Sequence, residues 1–152
     1  DGFSIMFSGK MLDNLSFRSD RNAFNTIDMI NYQPDLSKFH TYSLMAYYPY
    51  GTQANGEVGG SGEIKYIVKK GTLLRVKYGI DITVNGSVFY ALDTIGISPS
   101  KDSIRHFNYS TNYGDIGNEF YHDINIEITK KLSKKLKFTL MYANQFLNQS
   151  VI

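Results

Sequence analysis

The sequence predicts an all-β protein: an antiparallel up-and-down transmembrane β-barrel, or a contiguous part of one. Three observations lead there. Apolar and polar residues alternate strictly over long runs, the runs exceed the strand length of ordinary globular domains, and short basic turns at one end face a long polar connection at the other. Composition narrows the field first. The chain has 152 residues, enough for one domain with a sizeable core. Lys plus Arg number 16 against 14 Asp plus Glu, too even a balance for a nucleic-acid coat. Cysteine is absent, which removes disulfides, thiolate catalysis and cysteine-based zinc sites. Twelve Tyr and 10 Phe set it apart from disordered chains, and no apolar run reaches the roughly 18 residues of a membrane helix.

The elements follow in chain order. Phe3, Ile5, Phe7, Gly9 and Met11 alternate with Ser4, Met6, Ser8 and Lys10. The stretch from Phe24 to Tyr32 is ambiguous and is assigned as a strand because an antiparallel path needs one there. Tyr42, Leu44, Ala46 and Tyr48 repeat the alternation until Pro49 ends it. Val58 to Val68 and Leu74 to Val84 give the two clearest runs, with apolar residues two apart rather than three and four as in a helix. Phe120 to Ile128 and Leu136 to Tyr142 complete about seven strands, an odd number that cannot close a single-chain bacterial barrel. The ends, Asp1-Gly2-Phe3 inside a patterned stretch and Asn148 to Ile152 without a cap, read as those of an excerpt from a longer chain.

Turn chemistry suggests a pairing. Lys69-Lys70-Gly71 reads as a three-residue loop with glycine at the bulge position. Val68 would then face Thr72, with Ile64 by Val76, Gly62 by Tyr78 and Val58 by Ile82. On the polar side Glu63 would meet Lys77 and Lys65 would meet Arg75, the latter unfavourably.

Strands of about 12 to 14 residues exceed the usual 5 to 6 and match the 9 to 11 that a tilted strand needs to cross a bilayer. The turns at Lys70 and Ser133 are short and basic, whereas residues 86–118 read as one long loop, placed outside the cell and suited to contacting a protein partner. Tyr47, Tyr48, Tyr50, Tyr90 and Tyr121 lie near strand ends, where an aromatic girdle would sit. In this reading Glu63, Lys65, Arg75, Lys77, Asp81, Asp123 and Glu127 face the lumen. Ile64, Val76, Tyr78, Ile80, Ile126 and Leu140 face lipid.

The chain resembles outer-membrane β-barrel proteins of Bacteroidota, within an uncharacterised group. The likeness rests on Tyr42-Ser43-Leu44, Tyr48-Pro49-Tyr50-Gly51-Thr52-Gln53, Asn55-Gly56-Glu57, Lys69-Lys70-Gly71-Thr72 and Lys130-Lys131-Leu132-Ser133-Lys134-Lys135-Leu136. It covers most of the chain, implies the bacterial outer membrane as location with its lipid as a partner, and carries over no catalytic residue. It also gives meaning to Asp93-Thr94-Ile95 and Asp102-Ser103-Ile104, which resemble the O-glycosylation motif of that phylum at Thr94 and Ser103.

Chemistry-bearing motifs are few. His40, His106 and His122 lack metal-ligand spacing, and no nucleophile elbow occurs. The glycines at 56, 59, 60 and 62 lack the Lys-Ser/Thr of a phosphate loop, and a role in close packing or bending of a sheet fits them better. The lysines from Lys130 to Lys137 suit snorkelling toward headgroups and lack the aromatic partners of a nucleic-acid groove. Asn-x-Ser sequons at Asn14, Asn85, Asn108 and Asn148 have meaning only in a eukaryotic secretory context. No enzyme activity, cofactor, metal or nucleic-acid partner is expected. The functional expectation is a porin-like barrel passing small polar solutes. A non-enzymatic scaffold or surface-binding barrel is the alternative, and a soluble lipocalin-like ligand-binding barrel ranks third.

Overall fold

The computed structural model describes residues 2–15, 19–20, 34–54, 56–68, 79–96 and 109–150. Five strands form one antiparallel sheet: β1 (Gly2–Asp13), β2 (Gly56–Val68), β3 (Ile80–Gly96), β4 (Tyr109–Lys131) and β5 (Lys137–Leu147). Spatial order equals chain order, so the sheet is an up-and-down meander, and the described residues include no helix. All-β, antiparallel and up-and-down, the fold is the expected one. An open sheet of this topology is compatible with a segment of a barrel.

Phase is kept across every ladder as far as Phe89 of β3. Ser61 pairs with Ser8 of β1 and Ser87 of β3, Ser87 with Asp123, and Asp123 with Gln145. Ile64 pairs with Ile5 and Val84, Val84 with Ile126, and Ile126 with Tyr142. Because a strand's side chains alternate between faces, this register gives the sheet one polar and one apolar side. Glu63, Lys65, Asp81, Asp123 and Glu127 share the polar face; Ile64, Ile80, Ile126 and Leu140 share the apolar one. Arg75, Lys77, Val76 and Tyr78 lie outside the described residues.

The expected hairpin register is corrected. Val58 faces Tyr90 rather than Ile82, Ile64 faces Val84, and Gly62 faces Gly86. Glu63 and Lys65 face Asn85 and Thr83, so neither has the basic neighbour expected from the glycine turn. Sliding a strand by an even number of residues leaves its faces unchanged, so alternation alone could not distinguish the two registers.

The long loop expected over 86–118 is also shorter. β3 runs on to Gly96 and β4 begins at Tyr109, leaving 97–108 between them. Gly86 and Ser87, placed at the start of that loop, sit inside the ladder opposite Gly62 and Ser61. Register shifts between Phe89 and Tyr90, Tyr90 and Leu92, and Leu92 and Thr94 mark bulges; the first lies beside the last β2–β3 pair, and beyond it β3 and β4 continue as a two-stranded ribbon. Residues 42–48 are not a strand: the Tyr42 carbonyl accepts from the Met45 and Ala46 amides at 3.1 Å in a turn. β1 already pairs with β2 along its length, so no place remains for a strand between them. Phe24 to Tyr32 lies outside the described residues.

Connections alternate between the two ends of the sheet. At one end Lys131 and Lys137 bracket a tight turn in which the Ser133 hydroxyl accepts from the Leu136 amide at 3.0 Å. The connections 14–55 and 97–108 lie at the opposite end. The sheet's glycines allow close approach where strands crowd. A methyl on Gly59 would fall against the Val88 carbonyl oxygen and within 2.6 Å of Phe89 Cδ1, whereas Gly86 faces open space. Gly59→Ala is therefore expected to cost about 1 to 3 kcal/mol, because backbone must move. Gly86→Ala should leave stability unchanged, and denaturant midpoints of the two variants check the contrast.

Candidate functional site: a buried polar cluster under the 34–54 strap

Burial on this sheet is concentrated on its polar face, while much of the apolar face is exposed. Glu57, Asp123 and Asn125 are fully buried, while Phe7 is 77 % exposed and Leu140 57 %. The buried polar groups lie on the polar face beneath residues 34–54, a strap within the β1–β2 connection. Local hydrogen bonds shape the strap. Asp35 Oδ1 accepts from the Ser37 amide at 2.9 Å and from its hydroxyl at 2.6 Å, a turn type that aspartate favours. The Leu15 amide donates to the Ala54 carbonyl at 2.9 Å and closes the base.

Four side chains of the strap bond to the sheet, Thr52 among them, whose hydroxyl accepts from Lys10 Nζ at 2.6 Å. Lys38 Nζ donates to Asn125 Oδ1 at 3.0 Å, His40 Nε2 meets Asp123 Oδ2, and the Tyr50 hydroxyl donates to Glu57. From the sheet side, Gln145 Nε2 donates to the Met45 carbonyl at 3.1 Å. Each buried carboxylate gathers several donors, as the low dielectric requires. Glu57 takes Lys10 Nζ at 2.7 Å and the Gln53 amide at 2.8 Å besides Tyr50. Asp123 takes Asn125 at 3.3 Å, Gln145 at 3.3 Å and the Tyr121 hydroxyl at 3.4 Å besides His40.

Aromatic rings fill the space between the two carboxylates. Phe89 and Tyr121 are cross-strand partners and lie side by side, and Tyr50 stacks over both with centroids 4.9 Å from each. Lys10 Nζ lies 5.1 Å from the Phe89 ring centre, a cation–π distance. The bulge after Phe89 brings Phe120 into the same cluster, with Leu36, Ala91 and Leu147 packed around it. Burial and the neighbouring Glu57 carboxylate push the Tyr50 phenol far above its ordinary value, so it remains a donor.

Among the described lumen candidates Asp123 belongs to this cluster; Glu63 lies at the level of Asn125, and Lys65, Asp81 and Glu127 line the same face further along. Tyr50 and Tyr121, expected in an aromatic girdle, are instead buried on the polar face. Thr94 is exposed on the ribbon opposite Thr111, and Ser103 lies outside the described residues. Sequence reasoning did not single out Lys10, Lys38, Glu57, Asn125 or Gln145 for this cluster. Lys10 and Glu57 carried one signal, a charge at a polar-phase position of a strand. Among the described residues no group of His, Asp and Glu is arranged to hold a metal ion.

The chain's match to a family model, described as a family of unknown function (DUF6029), spans residues 1–152. The chain belongs to the DUF6029 family. No curated protein and no solved structure matches it. For this DUF6029 chain the geometry of the site is therefore the basis of any functional reading.

Tyr50→Phe tests the anchor. Loss of a hydrogen bond to a charged group is expected to cost about 1.5 to 3 kcal/mol. Because the phenol's pKa is raised on folding, the native state keeps a proton that the unfolded chain releases above about pH 10. The anchor's contribution is thus complete below about pH 10 and is lost as pH rises further. Unfolding midpoints at about pH 8 and about pH 11 should fall more in the parent protein than in Tyr50→Phe.

Proposed function

We propose that this chain forms part of an outer-membrane β-barrel, of the kind its sequence resembles in Bacteroidota, that passes small polar solutes through a polar lumen. The observation that carries the reading is the inverted burial: buried Glu57, Asp123 and Asn125 on one face, exposed Phe7, Leu140 and Tyr142 on the other. In water such an apolar face would be a sheet-wide sticky surface, far beyond the few hundred Å² that monomers tolerate. Against hydrocarbon it is the favourable arrangement, with alternate residues directed to lipid and to lumen. Strand lengths of 11 to 23 residues are sufficient to cross.

Open sheet edges do not persist in hydrocarbon, so β1 and β5 require further strands as neighbours. A single-chain bacterial barrel closes at an even count from about eight upward, and strands beyond the five described here supply the rest. The end with the tight 132–136 turn then corresponds to the periplasmic side, and the end with the strap and the 97–108 connection to the outside. A non-conducting scaffold barrel is the second reading, and the strap packed on the polar face favours it.

Planar-bilayer recording of the full-length protein separates the two: discrete channels support transport, and insertion without channels supports the scaffold. Substitution tests the orientation that both readings share. Ile126→Arg on the outer face should cost about 2 to 4 kcal/mol, and Thr83→Arg on the inner face markedly less. Unfolding from lipid vesicles measures both. Equal costs would contradict the assigned faces.

A further inference from the structure

We propose that the 34–54 strap is a constriction gate inside the lumen, held closed by its Lys38, His40 and Tyr50 anchors. The proposal rests on the barrel reading and says how flow through that barrel is controlled.

Anchor depth locates the gate. The ladders order the polar face into successive levels from the strap end: Glu57, then Phe89 with Tyr121, then Ser87 with Asp123, then Asn85 with Asn125. Tyr50 engages the first two levels, His40 the third and Lys38 the fourth. Glu57 and Glu63, the β2 residues at the first and fourth levels, are six positions apart, about 20 Å along an extended strand. The strap therefore descends from the open end to about the middle of β2, well inside the barrel wall.

Burial on the polar face follows the strap. Glu57, Phe89, Ser87, Asp123, Asn85 and Asn125 are all buried. At the next level Lys65 is exposed and Thr83 and Glu127 are half-buried; beyond them Asp81 is exposed, while its partner Thr129 is buried against Thr139 of β5 and not by the strap. The strap thus fills the lumen along the wall to mid-height and leaves the far half open.

The chemistry of the anchors suits a segment that can lift. Lys38 and His40 make polar contacts to groups that water can also satisfy, Phe39, Leu44 and Tyr47 remain exposed, and the apolar hold is confined to Leu36 and the Tyr50 ring at the strap's outer levels. A connection between adjacent strands also has both ends fixed at the rim, so the strap can leave the lumen without disturbing the β1–β2 ladder.

The test compares single-channel conductance of the full-length protein with that of a Lys38→Ala, His40→Ala, Tyr50→Ala variant. The expected result is a rise of about twofold or more, since conduction follows the water-filled opening at the constriction. If the triple variant fails to fold, Lys38→Ala alone decides, with a smaller rise expected. Unchanged or lower conductance in proteins that both form channels overturns the gate and leaves the barrel reading standing. Insertion of both proteins without channels overturns the transport reading, and the gate with it.

Discussion

The structure depends on one constraint: every strand must keep the same phase of a two-residue alternation. A slip of one residue in any ladder would put Asp123 or Glu57 on the apolar side and Ile126 or Phe7 against the strap. The apolar phase holds from Ile5 through Ile64, Val84 and Ile126 to Tyr142, five strands without an exception at that level. It first fails between Phe89 and Tyr90, beside the last β2–β3 pair at Val58 and Tyr90, and beyond that pair β3 and β4 continue as a two-stranded ribbon.

A polar face of this kind creates a second requirement. Carboxylates removed from water need partners, and neighbouring strands offer Asp123 only amides and a phenol while leaving Glu57 with Lys10. The strap supplies the rest: His40 for Asp123, and Tyr50 with the Gln53 amide for Glu57. Buried ionic contacts contribute little net stability when complete and cost much when broken, so their main effect is to specify where the strap lies. The Tyr50 ring adds the apolar part, covering Phe89 and Tyr121.

How far the sequence foretells this arrangement depends on what each feature needs. Face assignment needs only parity, and Ile64, Ile80, Ile126 and Leu140 were readable on one side, with Glu63, Lys65, Asp81, Asp123 and Glu127 on the other. Register needs more than parity, and the glycine at 71 favoured one even-numbered slide over another with identical faces. Strand ends were misjudged where small residues sit inside a ladder: Gly86 and Ser87 resemble a loop, yet they lie opposite Gly62 and Ser61, where two thin strands meet. The strap was least readable. Tyr42 to Tyr48 alternates like a strand, but β1 and β2 pair directly and leave no place for it between them, and Tyr50 looks like a strand-end tyrosine until its ring is seen over Phe89.

On this account the apolar face meets hydrocarbon, and the chain's lack of tryptophan makes that directly measurable. Leu140→Trp and Met141→Trp place a single reporter on opposite faces of β5 at adjacent positions. In vesicles of acyl-brominated phospholipid, the tryptophan at position 140 should be strongly quenched and that at 141 spared. Equal quenching, or stronger quenching at 141, would contradict the account.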